Sequence, residues 1–154
     1  MHIAVVTETD LPDLLPLMRA YCDFYGVTPS DEKLMSLAHA LLADSDCEGF
    51  QLIARDDGGR AVGFATVFWT WSTLAAGRTA IMNDLFVHAD ARGSGLAEAL
   101  IEECRVRSRR RGAASLGWQT AKDNDRAQAV YDRIGAKREE WLDYSLDTAP
   151  RAGE

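Results

Sequence analysis

The heptapeptide Ala91-Arg92-Gly93-Ser94-Gly95-Leu96-Ala97 stands between the apolar run Asp84-Leu85-Phe86-Val87 and a helical run from Glu98 to Arg111. Two glycines therefore fall where a strand ends and a helix begins. Glycine accepts a positive φ and leaves no Cβ between the backbone and a ligand. The first turn of the helix behind it presents unpaired N–H groups at the positive end of the dipole, a setting that suits a phosphate or pyrophosphate. Two common phosphate loops are excluded by residue identity. A dinucleotide fingerprint needs a third Gly or Ala where this chain has Glu98, and a nucleoside-triphosphate loop needs a Gly-Lys-Ser/Thr triplet that the sequence lacks.

The rest of the chain alternates strand and helix signals. His2 to Thr7 reads as an opening strand, and Asp10 as the cap of a helix from Leu11 to Tyr25 with Leu11, Leu14, Leu15, Met18, Tyr21 and Cys22 on one face. Ser30 caps a second helix through Leu34, Leu37, Ala38, Leu41 and Leu42. Phe50–Arg55 and Arg60–Trp71 flank Asp56-Asp57-Gly58-Gly59, a hairpin signal, and Thr79–Val87 forms the strand that feeds the glycine loop. Ala114–Ala121 is expected as a strand, Asp125–Ile134 as a short helix stopped by Gly135, and Lys137–Leu146 as a final strand. This order (strand, two helices, three strands, helix, strand, helix, strand) is that of an α/β fold with helices on both faces of one sheet. A single domain over residues 1–147 is expected, with 148–154 as a frayed tail.

Composition narrows the function classes. The chain has 154 residues, 47% hydrophobic and 27% charged, enough to bury a core. It has no apolar stretch of about 18–20 residues and no basic-then-apolar leader pattern, so neither a membrane span nor a signal peptide is expected. Its net charge of −7 argues against nucleic acid as the main partner. Cys22, Cys47 and Cys104 are widely spaced and read as reduced thiols of a cytoplasmic protein. His2, His39 and His88 are equally scattered, and no metal site is expected. The arginines at 105, 107, 109, 110 and 111 suit the solvated C-terminal end of a helix.

Val87, then Arg92-Gly-x-Gly-x-Ala, resembles the acyl-CoA pyrophosphate loop of the Gcn5-related N-acetyltransferases (GNAT). A second block, Asn124-Asp-Arg-Ala127-Gln-Ala-Val130-Tyr131-Asp-Arg-Ile-Gly135, matches that family's Asn-x-x-Ala-x-x-x-Tyr-x-x-x-Gly element in the right order and at the usual separation. The resemblance runs from Phe50 to about Leu146. It implies a mixed, largely antiparallel GNAT-like sheet and acetyl-CoA as co-substrate. It also implies that the backbone of Arg92, Gly93, Ser94, Gly95, Leu96, Ala97 and Glu98 holds the pyrophosphate. Leu85, Phe86 and Val87 would then pair with pantetheine amides, and Asn124 would touch the cofactor as well as cap its helix.

Acetyl transfer to an amine needs a neutral nucleophile, a donor to the oxyanion and a proton for the departing thiolate. The resemblance puts Tyr131 in the place of the general acid, and a phenol with an ordinary pKa near 10 is protonated at neutral pH. Ala127, Val130, Tyr131 and Ile134 also form one apolar face, so a core tyrosine is the competing reading. Val62 to Trp71 and Met82 to Val87 look most like the diamine (spermidine/spermine-type) branch. That branch carries Glu-Asp where Asn83-Asp84 stand here, and a carboxamide is no base. A water relay, Asp84, or an acceptor that arrives neutral must then take over. Successive strand residues point to opposite faces, so Asp84 reaches the pocket of Asn83 only across a β-bulge, and it is expected to position a cationic acceptor or a water. Trp69 and Trp71 are expected to wall the acceptor pocket, or else to cover the core or a dimer interface.

The expected function is acetyl-CoA-dependent acetylation of a primary amine, a small polyamine-like molecule, by direct attack in a ternary complex. A protein or peptide amine is the alternative acceptor. A non-catalytic acyl-CoA sensor is the alternative class. The expected partners are a small amine and a second copy of the chain, with neither nucleic acid nor membrane.

Overall fold

Five strands form one sheet in sequence order in the computed structural model, which describes residues 1–148. They are β1 (His2–Val5), β2 (Gly49–Arg55), β3 (Ala61–Ser72), β4 (Gly77–Val87) and β5 (Leu116–Gly117). The first four pair antiparallel, and β5 joins β4 in parallel. Helices α1 (Leu11–Phe24) and α2 (Asp31–Ala43) lie between β1 and β2, α3 (Leu96–Arg110) between β4 and β5, and α4 (Asp125–Arg133) after β5.

Strand parity divides the core into two layers. Phe50, Leu52, Ala54, Ala65, Val67, Ala80 and Met82 pack against Leu96, Leu100, Ile101 and Cys104 of α3. Ile53, Phe64 and Phe86 pack on the opposite face against Leu11, Leu14, Leu17 and Met18 of α1 and Leu34 and Ala38 of α2. The turn after β2 is held by Asp56, whose Oδ1 accepts from Gly58 N at 3.1 Å and Arg60 N at 2.9 Å. Ser30 caps α2 by accepting from Lys33 N.

Asp10 acts differently from the expected helix cap. Its carboxylate accepts from Thr7 N at 2.9 Å and Thr7 Oγ1 at 2.7 Å, and pairs with Arg55 at 2.9 Å, so it ties the turn before α1 to β2. Its carboxyl is partly desolvated, but these hydrogen bonds outweigh that and hold its pKa below the ordinary value.

Two strands fall short of expectation. Ala114–Ala121 yields only the two residues of β5, because pairing with β4 stops at Ile81↔Gly117. Lys137–Leu146 forms no strand. A strand exists by pairing, and the two-residue β5 is too short an edge to template another. Trp141 and Tyr144 consequently remain 80% and 89% exposed, with Leu142 and Leu146 beside them. The expected tail lies outside the described residues from position 149 on. Among the described residues no helix is long and apolar enough to cross a membrane.

Candidate active site

The early end of the β4–β5 pairing creates the site. Past Ile81 the two chains part, and a cleft of about 410 Å³ opens between Met82–Val87 on one side and Trp118, Gln119 and Thr120 on the other. Past Ile81 the edge of β4 that faced β5 has no strand partner along the cleft, a ready place for an extended amide-bearing ligand. Leu85, Phe86 and Val87 line this wall. The first turn of α3 closes one end, α4 forms the floor, and the last turn of α1 closes the other end.

At the α3 end the glycine loop has the shape its sequence implies. Gly93 and Gly95 have φ of +78° and +82°, and a Cβ built on either meets no atom within 4 Å. The glycines are therefore required by backbone conformation and leave open space in front of the helix N-terminus. Gly93, Gly95, Leu96, Ala97 and Glu98 all line the cleft. Ser94 does not, because its hydroxyl turns back to donate to Ala91 O at 2.7 Å. Arg92 donates from Nε to Val87 O at 3.0 Å, which fixes its guanidinium at the corner between β4 and the loop.

Glu98 puts a carboxylate in the turn where an anion would sit. Arg133 of α4 offsets it, donating from Nε to Glu98 Oε1 at 3.1 Å, and lowers the glutamate's pKa through that hydrogen bond. Arg126 lines the same end. Three arginines, two open positive-φ glycines and a helix N-terminus together fit a pyrophosphate. Arg126 and Arg133 were missed from sequence because isolated arginines on a short amphipathic helix look like ordinary surface residues.

Tyr131 sits mid-cleft on α4, half-buried, its ring edge-on to Trp118 at 5.3 Å between centroids. Burial raises its pKa above 10, the nearby Tyr25 adds to the rise, and a hydrogen bond with Thr120 opposes it. The phenol is a neutral donor at physiological pH. Asn124 lines the cleft and caps α4, its Oδ1 accepting from Ala127 N at 3.2 Å.

The α1 end combines Tyr21, Phe24 and Tyr25 with Asn83. The Tyr21 and Tyr25 rings meet edge-on at 5.0 Å, and Phe24 and Tyr25 at 5.1 Å. Sequence reading put Tyr21 on the apolar face of α1; the signal it offered was three aromatics in the last turn before Gly26.

The bulge that Asp84 required is present. Thr66 pairs with Asp84 but Val67 pairs with Met82, which leaves Asn83 as an extra residue in β4. Without it Asp84 would share a face with Met82 and look toward α3. With it, Asp84 joins Phe86 on the α1 side. Its side chain is buried behind the cleft wall, accepting from Asn83 Nδ2 at 3.0 Å, with the Thr66 and Tyr21 hydroxyls near enough to favour its charged form. Burial outweighs those hydrogen bonds and raises its pKa above the carboxylate norm.

Trp69 and Trp71 lie away from the cleft. Trp69 packs on Phe50 at 5.4 Å and donates from Nε1 to Ser45 O at 2.8 Å, and Trp71 stacks with Arg78 at 4.9 Å. Both occupy the half of β3 that pairs with the start of β4, on the other side of the bulge from Asp84.

The sequence profile of the Acetyltransferase (GNAT) family matches residues 14–136. An uncharacterized N-acetyltransferase of Bacillus subtilis is 29% identical over 135 residues, covering 88% of this chain and 89% of its own. The crystal structure of a probable acetyltransferase superposes with a TM-score of 0.84 at 28% identity, over 97% of this chain and 99% of that one. AAC(6')-Iy, solved with the bisubstrate analogue CoA-S-monomethyl-acetylneamine, shares the fold with a TM-score of 0.80 at 21% identity, over 96% of this chain and 98% of its own. The chain thus belongs to the Acetyltransferase (GNAT) family, N-acetyltransferases that take acetyl-CoA as co-substrate.

Proposed function

We propose that the protein acetylates the primary amine of a small, polyamine-like molecule by direct attack within a ternary complex. The observation that carries this reading is the set of residues lining the cleft beside β4. A glycine loop with open space before a helix N-terminus, a neutral phenol and the aromatic side chains of Tyr21, Phe24 and Tyr25 from α1 share its walls. Its volume suits a small acceptor beside an extended co-substrate. No cysteine or serine is among its lining residues, which favours attack by the amine itself over a covalent acyl-enzyme.

On this reading the loop from Arg92 to Glu98 holds the pyrophosphate and the free edge of β4 aligns the pantetheine arm. Bound acetyl-CoA supplies the thioester. Tyr131 then donates its proton to the departing sulfur, and the phenolate recovers one from the acylated nitrogen. Thiol release from acetyl-CoA, followed over spermidine, propane-1,3-diamine, tyramine and a peptide with a free N-terminus, tests the proposal. Turnover confined to the small amines supports it; turnover confined to the peptide assigns a protein acceptor, and cofactor binding without turnover assigns a sensor.

A homodimer is the form we propose in solution. The exposed row of Trp141, Leu142, Tyr144 and Leu146 supports it, since monomers rarely leave such an apolar run bare. Light scattering on the eluted protein gives the mass directly, and a monomer mass at micromolar concentration rejects this form. Three free cysteines suit a reducing compartment, and we place the protein in the cytoplasm on that ground.

A further inference from the structure

We propose that Phe24 and Tyr25 hold the second, non-reacting ammonium of the acceptor against their ring faces. The inference rests on the amine-acetylating reading above and names how that acceptor is recognised.

A polyamine-like acceptor brings a second positive charge into the cleft, and the cleft offers it no free carboxylate. Glu98 is the one acidic side chain among the described residues that line it, and Arg133 already pairs with it, Nε donating at 3.1 Å. Asp84 is buried behind the wall, where its carboxylate accepts from Asn83 Nδ2. Recognition of the second charge therefore falls to the aromatic side chains of α1.

Tyr21, Phe24 and Tyr25 stand at i, i+3 and i+4 at the end of α1, a spacing that turns all three rings to the cleft side of the helix. Tyr21 is the anchor. Its ring meets Phe64 edge-on at 5.9 Å, and its hydroxyl donates to Asn83 O at 3.4 Å. Tyr25 leans on Tyr21 at 5.0 Å, and Phe24 meets Tyr25 at 5.1 Å with 88° between the ring planes. Phe24 and Tyr25 thus form a corner of two near-perpendicular rings, and they stay 61% and 49% exposed. A ring face carries the negative part of the aromatic quadrupole and attracts an ammonium without a carboxylate having to be desolvated.

The direction of the helix adds to that attraction. Tyr25 is the C-cap of α1, so the negative end of the helix dipole lies beside these rings, and the last turn holds no basic residue to neutralise it. The three arginines that line the cleft, Arg92, Arg126 and Arg133, belong to the glycine loop and to α4. An apolar acceptor body would gain from the rings but not from the dipole, so the arrangement favours a cation.

The test compares two primary amines of the same shape: aminopropyl-trimethylammonium, whose quaternary nitrogen cannot be acetylated, and the neutral amine with carbon in place of that nitrogen. The ratio of their kcat/KM values is followed from wild type to variant, because each amine's own basicity is common to both enzymes. Phe24→Leu and Tyr25→Leu are each expected to lower the ratio roughly two- to fivefold through a higher KM for the cation, whereas Tyr25→Phe keeps it. A ratio unchanged in both leucine variants overturns the proposal. An equal fall in Tyr25→Phe overturns it too, since that marks a contact with the hydroxyl. A wild-type ratio that collapses with added salt marks an ion pair and has the same consequence. If neither amine turns over, the amine-acetylating reading fails, and calorimetric titration of tetramethylammonium into the protein with CoA bound judges the ring corner alone. Binding weakened by Phe24→Leu supports the corner, and no binding overturns it.

Discussion

Tyr131 and Asn124 show how differently two residues of one motif declare themselves. Asn124 does what any helix cap does, and its place in the cleft adds a second role that only the fold reveals. Tyr131 lies on the same apolar stripe as Val130, yet its hydroxyl reaches Thr120 in the cleft. Tyr131→Phe keeps the edge-on contact with Trp118 and deletes the donor. If the phenol protonates the leaving thiolate, kcat is expected to fall roughly 10²–10⁴-fold with cofactor affinity unchanged. Single-turnover kinetics beside a cofactor titration check this, and normal turnover returns Tyr131 to the core. The aromatic end of the cleft was less legible. Tyr21 fits the i, i+3, i+4 pattern of a buried face, and nothing in one-dimensional spacing says that the face ends at a ligand cleft.

At the scale of elements, the glycine loop was readable because φ above zero is a property of residue type. The bulge in β4 was readable only as a requirement, since no residue in Met82-Asn83-Asp84 signals it and it arises from pairing with β3. The missing last strand has the same cause in reverse: its alternation was present, but β5 offers too little edge. The loop gives a direct prediction. Acetyl-CoA should raise the melting temperature by about 2.7 kcal/mol worth of stability at a hundredfold excess over its dissociation constant. Gly95→Val is expected to abolish the rise, because a branched residue is strained at φ +82° and would project into the open space before α3. Thermal melts with and without acetyl-CoA measure it, and an undiminished rise in folded Gly95→Val protein rejects the loop as the anchor.

For the whole molecule, Asp84 sets stability against chemistry. Its pKa is raised in the folded state, chiefly by burial, so the native protein holds this proton more tightly than the unfolded chain does. Stability therefore falls as pH rises from the unfolded carboxylate value, 3.8, and the loss is complete once pH passes the higher folded value. Asp10 behaves oppositely: its pKa is lowered, and its contribution is present above the unfolded value and lost as pH falls through the folded one. A wild-type melt mixes both slopes, but the difference between wild type and Asp84→Asn cancels the common part. The asparagine keeps an oxygen to accept from Asn83 Nδ2 and carries no charge to bury. Asp84→Asn is thus expected to melt higher than wild type at neutral pH, by about 2–4 °C for each kcal/mol recovered, with the gap closing toward acid pH. The same variant is expected to lose turnover, and a stabilised but slow enzyme is the signature of a charge kept buried for function. Melting curves across the acid-to-neutral range decide it: a gap constant with pH means that Asp84 has the same pKa folded and unfolded, and its burial then carries no cost.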